Sequence, residues 1–199
     1  MSDSEARQDV PSDVPAGTPD QAPEGTGRAE AHPTDAVDEL TAQWMRERPD
    51  LGDLRAMALI GRINRASSLL VKRMKPVFTA HGLENAEFDV LATLRRAGAP
   101  HELTPSELVL SSMVTSGAIT NRLDRLERKG LIERHPDPGD RRAVRVRLTE
   151  PGLDVVDRAV VAHVANETRM LAALPESEQQ WLSDGLRRLL VALGDTHLG

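Results

Sequence analysis

The sequence predicts a mainly α-helical chain with a small β-hairpin wing. This is the winged helix-turn-helix class, built as a dimer through its N- and C-terminal helices. Three observations carry the prediction. Residues 104–152 run helix, turn, helix, hairpin. The hairpin loop is rich in Pro and Gly and carries Asp140-Arg141-Arg142 at its tip. Long amphipathic stretches on both sides of this unit hold more apolar surface than so small a head can cover.

The elements follow in chain order. Residues 1–33 are rich in Pro, Gly, Asp, Glu and Ala and read as a disordered acidic tail. A short helix is predicted over 34–48, with Val37, Leu40 and Trp44 on one stripe and Pro49 ending it. A long helix follows over 53–80. Leu59, Ile63, Ala66, Leu70, Met74 and Val77 form its apolar face, Pro76 is placed to kink it, and Gly82 closes it. The next helix, 85–96, takes Asn85 as its cap and Phe88, Leu91 and Leu94 as its buried side.

Within the central unit, Thr104 caps a helix, Pro105 suits its first position, and Glu107 bonds back to the cap amide. A second helix spans 115–129 and stops at Gly130. Ile119, Leu123 and Leu126 face inward, while Ser116, Thr120, Asn121 and Arg125 lie off that stripe. Small hydroxyl and amide side chains near a helix start suit base edges and phosphates, and Gly117 allows close backbone approach. Thr104, Ser106, Thr115, Ser116, Thr120, Asn121, Arg125, Arg141, Arg142 and Arg145 are therefore the candidate DNA contacts. The strands are LIERH and AVRVRLT. Long helices over 153–174 and 175–193 close the chain. The last has a wide apolar face of Trp181, Leu182, Leu186, Leu189, Leu190 and Leu193. The predicted organisation is a tail (1–33) and one domain (34–199). The domain comprises the extra helix (34–48), a winged lobe (85–150) and dimerisation helices (53–82 and 153–193). A two-fold dimer reads two half-sites about one helical turn apart, hence a pseudo-palindrome.

The net charge of −6 over 199 residues looks wrong for a DNA binder until it is placed. Residues 1–40 carry ten acidic side chains and two Arg, a charge of −8. The rest of the chain carries +2, with its basic residues gathered in the second helix and the hairpin. There is no cysteine, which removes disulfides and thiolate chemistry and fits a cytoplasmic protein. No stretch is long and apolar enough for a membrane span. Two per cent aromatic content argues against stacking on single strands. No strand-turn-helix nucleophile or Gly-rich phosphate loop points to an enzyme, and no cofactor is expected. His32, His81, His101, His135, His163 and His197 have no paired helical spacing, so a metal site would need ligands converging from distant segments.

The stretch TNRLDRLERKGLIERHPDPGDRRAVRVRLTEPG, with its Asp-Arg-Arg wing and Leu-Thr-x-x-Gly close, resembles the MarR family of bacterial transcription regulators. The resemblance covers roughly residues 53–193. It implies a triangular helical dimer on duplex DNA, with Arg142 entering the minor groove and Arg141 beside it. The segment from Trp44 to Leu51 resembles the extra helix of the urate-responsive PecS and HucR branch. That branch's ligand residues correspond here to Trp44, Asp89, Arg122 and Arg134. The implied effector is a small anion, urate or a related purine. The implied switch is an Asp89–Arg134 pair that the anion breaks while it engages Arg122. Two other readings compete. One is a relative sensing citrate, aconitate or phenolic anions. The other is a winged helix used for protein contact without a DNA target.

Overall fold

The computed structural model describes residues 33–111, 119–140 and 143–196. In order they form α1 (Ala36–Glu47), a 3-10 turn (Pro49–Leu51), α2 (Arg55–Ala80), α3 (Asn85–Arg96), β1 (Glu102–Leu103), α4 (Pro105–Ser111), α5 (Ile119–Arg128), β2 (Ile132–Pro136), β3 (Val144–Leu148), α6 (Glu150–Leu171) and α7 (Glu176–Ala192). This is the expected mainly helical, winged helix-turn-helix class.

Asp35 caps α1. Its carboxylate accepts the amides of Val37 (2.8 Å) and Asp38 (3.0 Å), and Asp38 accepts the Asp35 amide in return. Arg62 of α2 pairs with both carboxylates and ties the helices together. Of the stripe predicted on α1, only Val37 is buried. It sits against Gly61 of α2, where an added Cβ would come within 3.3 Å of it. Leu40 and Trp44 are exposed. The predicted face of α2 is likewise open over most of its length, with Leu59, Ala66 and Leu70 exposed and Phe78 its buried residue. Among the described residues α6, α1 and α3 are the main elements packed against this helix, and they cover it in part. The helix continues through Pro76.

Gly82 and Gly130 end α2 and α5 with φ of 71° and 68°, as their positions predict. The cap of α3 is Glu84, one residue before the expected Asn85. Its amide is taken by the Glu87 carboxylate at 2.9 Å. The predicted box at α4 is present. Glu107 Oε2 accepts the Thr104 amide (2.7 Å), and the Glu107 amide donates to Thr104 Oγ1 (3.2 Å).

The hairpin is one strand larger than the sequence suggests. The antiparallel order is β1-β3-β2, pairing Leu103 with Val146 and Arg134 with Val146 from opposite sides. Two residues are too few for a period-two pattern, so β1 left no signal. Helix α6 starts at Glu150, three residues earlier than expected. Thr149 Oγ1 caps it by accepting the Gly152 amide (3.1 Å) while donating to Gly130 O (2.7 Å). Gly152 is required there, because a Cβ would overlap the Leu131 carbonyl. The core gathers Phe78, Phe88, Leu91, Leu94, Leu108, Leu123, Leu126, Ile132, Val146 and Val156 beneath α3, α5 and the sheet.

Candidate nucleic-acid interface and ligand cluster

Helix α5 is held from both sides by charge. Glu87 of α3 is 1% exposed and accepts from Lys129 Nζ (2.7 Å), which also donates to Gly82 O (2.9 Å). Arg125 lies 3.2 Å from Glu84 and 3.6 Å from Glu87. Arg125, expected to face DNA, is thus placed beside the carboxylates of α3 and stays partly exposed. A burial-prone glutamate needs cationic partners, and the only side of α5 that can supply them faces α3. Arg145, also expected to face DNA, lies among carboxylates as well. It pairs with Asp137 (2.6 Å) and Glu102 (3.5 Å) and braces the hairpin. Asp137 also accepts the Gly139 amide (2.7 Å). That bond, followed by Arg145, holds its carboxyl below the usual carboxylate range. The base of the wing loop is thus fixed just before Arg141 and Arg142.

Thr120 and Asn121 are exposed on the first described turn of α5, and Ser106 is exposed on α4. The Thr104 hydroxyl is taken up by its capping box. Thr115, Ser116, Arg141 and Arg142 lie outside the described residues, as does Gly117.

The four residues expected at a ligand site are not brought together. Arg134 pairs with Asp124 (2.6 Å) and Glu127 (2.9 Å) of α5, so the expected Asp89–Arg134 pair is absent. The reason is register: β2 runs beside α5 and places Arg134 over that helix's own carboxylates. Trp44 is 45% exposed on α1 and makes no hydrogen bond or ring contact with the other three among the described residues. Asp89 and Arg122 do approach. Asp89 lies within electrostatic reach of Arg122, then His163 and Arg96. Burial pushes the Asp89 carboxyl above the usual carboxylate range, although these three cations oppose the shift. The Asp89 carboxylate forms no hydrogen bond or ion pair among the described residues. Arg122 Nη1 is buried without a hydrogen-bond partner among the described residues.

Arg96 and His163 are the members that the sequence reading missed. Arg96 follows Asp89 by seven residues on one helix, two turns along the same face, so spacing alone could have found it. It also reaches Thr93 Oγ1 (3.1 Å) and the Ser111 carbonyl (3.4 Å) at the end of α4. His163 comes from α6, too distant in sequence for any local pattern. Its ring centroid lies 5.1 Å from both Phe78 and Phe88, which stack on each other.

A winged helix-turn-helix with a braced hairpin and an exposed polar start to α5 is the form of a DNA-reading protein. The profile of the MarR family matches residues 81–143. The chain is 42% identical to the HTH-type transcriptional regulator PecS of Dickeya dadantii over 153 residues, 77% of this chain and 92% of that protein. Among solved structures, it resembles the MarR family transcriptional regulator Sco5413 of Streptomyces coelicolor. That match has 31% identity and a TM-score of 0.64, and covers 73% of this chain and 99% of the other. A mutant MarR of E. coli complexed with operator DNA matches at 28% identity and a TM-score of 0.61, covering 69% and 97%. The chain belongs to the MarR family of DNA-binding transcriptional regulators. No helix among the described residues is long and apolar enough to cross a membrane.

Proposed function

We propose that the chain is a cytoplasmic repressor that binds a pseudo-palindromic operator as a homodimer and is released by a small anion, urate or a related purine. One observation carries the ligand reading. Asp89 and Arg96 of α3 and Arg122 of α5 converge without bonding one another, and a buried guanidinium nitrogen is left unpartnered. A buried donor without an acceptor is costly, and an anion between the helices supplies the acceptor. Because Arg122 rides on α5, such an anion has different contacts when α5 shifts, which is what coupling to DNA requires. In this reading Arg96 takes the place given to Arg134, and Trp44 contributes a ring face to the ligand.

The dimer reading rests on the open apolar faces of α1, α2 and α7. The division into tail, extra helix, winged lobe and dimerisation helices follows the same lines. Thr115, Ser116, Thr120, Asn121 and Ser106 are assigned to base edges and phosphates, and Arg141 and Arg142 to the minor groove.

The test is a salt-dependent gel shift on the gene's own upstream region, with and without urate, paired with calorimetry. Retardation at low salt, release by urate, and weaker urate binding by Trp44→Phe are expected. Citrate heat without urate heat would move the protein to the carboxylate-sensing kind, whose anions the same two arginines can hold.

A further inference from the structure

The row of α2 that carries α1 does not stop where α1 stops. Leu54, Ala58 and Gly61 recur at spacings of four and three, and the same row continues through Arg65, Ser68, Lys72, Lys75 and Thr79. Its first part is covered: Leu54 is buried, and Gly61 meets Val37 of α1. Its second part is exposed. Helix α2 carries basic residues and no acidic one. Arg55 and Arg62 find carboxylates at Asp53, Asp35 and Asp38. The side chains of Arg65, Lys72 and Lys75 form no hydrogen bond or ion pair among the described residues. Two shallow grooves follow this row. One is lined by Asn64, Arg65, Ser68 and Lys72, and the next by Lys72, Lys75, Thr79 and the start of α3. The one carboxylate at the far end, Glu84, lies 3.2 Å from Arg125.

The direction of the chain brings an anionic segment to this row. The start of α1 lies over Gly61 and Arg62, and its end joins α2 through residues 48–54, so the two helices are antiparallel. The residues before Asp35 therefore enter from the side of Arg65. Residues 1–32 carry seven acidic side chains and two arginines, a net charge of −5. The row from Arg65 to Thr79 is about 21 Å long, at about 1.5 Å per residue. Asp20, Glu24 and Glu30 lie within fifteen residues of the α1 cap. An extended chain of that length spans about 50 Å, so the acidic groups reach the whole row.

We propose that the acidic segment 1–32 docks along the Arg65–Lys72–Lys75 row of its own α2, continuing the line of α1. The contact lies away from the apolar stripe of Leu59, Ala66 and Leu70, so it leaves the proposed dimer face clear. It also covers cations that would otherwise draw DNA phosphates without regard to sequence.

The chain has no cysteine, so one can be introduced for labelling. A nitroxide is attached to Ala22→Cys in the isotope-labelled full chain, and amide signals are compared with those of the reduced label. At low salt the amides of Ser68, Lys72 and Lys75 should lose intensity. The loss should disappear at about 1 M salt, where the screening length is about 3 Å. It should also disappear in the triple variant Arg65→Gln, Lys72→Gln, Lys75→Gln, whose substitutions are at exposed positions and whose fold circular dichroism verifies. Loss that persists in the triple variant, or no loss in the parent, would overturn the docking. Loss seen only when the two labels sit on different copies would give the row to a partner's tail and overturn docking within one chain. Replacing the seven acidic residues of the tail by Asn or Gln should raise affinity for duplex DNA of unrelated sequence severalfold in the parent but not in the triple variant. An equal rise in both would overturn the proposal. No signal loss in the parent, with weaker duplex binding by the triple variant, would assign the row to DNA phosphates instead.

Discussion

In the lobe from α3 to β3, Val90, Leu91, Leu94, Leu108, Leu126 and Val146 have no exposed surface. On α7 no residue is buried, and Trp181 is 74% exposed. Both regions are amphipathic helices in the sequence. They differ in what the same chain can lay over them. The lobe folds α4, α5 and the sheet back onto α3, so its apolar positions find partners within about sixty residues. The outer faces of α1, α2 and α7 meet nothing among the described residues. The described core of the lobe is thus closed within one copy, whereas the terminal helices leave apolar faces exposed. The proposed dimer is the completion this asymmetry asks for.

The largest effect sharpens that contrast. Leu94→Ala should cost about 2–5 kcal/mol of unfolding free energy at any protein concentration, because it opens a cavity inside the lobe. Leu190→Ala removes a side chain that is 47% exposed in one chain. It should cost little in a monomer but should lower the midpoint in a concentration-dependent way if a second copy covers α7. Urea unfolding at two concentrations a hundredfold apart checks both. A small, concentration-independent loss for Leu190→Ala would break the dimer proposal.

Next is the seam between the two regions. Gly152 lies in the first turn of α6, where an added Cβ would overlap the Leu131 carbonyl. Gly152→Ala places a methyl in that overlap and should cost about 3 kcal/mol, because backbone must move on one side. The same change at Gly185 on α7, where nothing lies within 4 Å, should be neutral or slightly stabilising. Equal effects at the two sites would contradict the difference drawn above. A smaller loss, about 1 kcal/mol, is expected for Thr104→Ala, which removes one half of the α4 capping box. Thermal melts would register it as a shift of a few degrees without loss of cooperativity.

The lobe was legible in the sequence because its signals are local. The Thr104–Glu107 box, Gly130 and the Ile119-Leu123-Leu126 stripe each act within one or two turns. The candidate site was legible by half. Asp89 and Arg122 sit on stripes that predict their faces. Arg96 was readable by its seven-residue spacing. His163 was not, since only the packing of α6 on α3 brings it there. Arg125 and Arg145, expected at DNA, and Arg134, expected at the ligand, each lie beside carboxylates whose proximity depends on tertiary register and so left no local signal.

The smallest effect concerns Asp89, which lies in the lobe but is not satisfied by it. Burial raises its carboxyl above the ordinary value, against the pull of Arg122, His163 and Arg96. A carboxyl raised in the folded state favours folding when protonated. Its contribution is fully present below the unfolded value of 3.8 and is lost as pH rises through the folded value. At neutral pH the charged side chain therefore opposes folding, to an extent reduced by its partial exposure. Asp89→Asn should raise the melting temperature at neutral pH by less than Thr104→Ala lowers it. The gain should shrink as pH falls toward the ordinary carboxylate range, because the parent then becomes neutral at this position too. Melts of both proteins across that range provide the check. A variant less stable than the parent at neutral pH would mean that Asp89 is already paired with the arginines. The unfilled cluster on which the ligand proposal rests would then be gone.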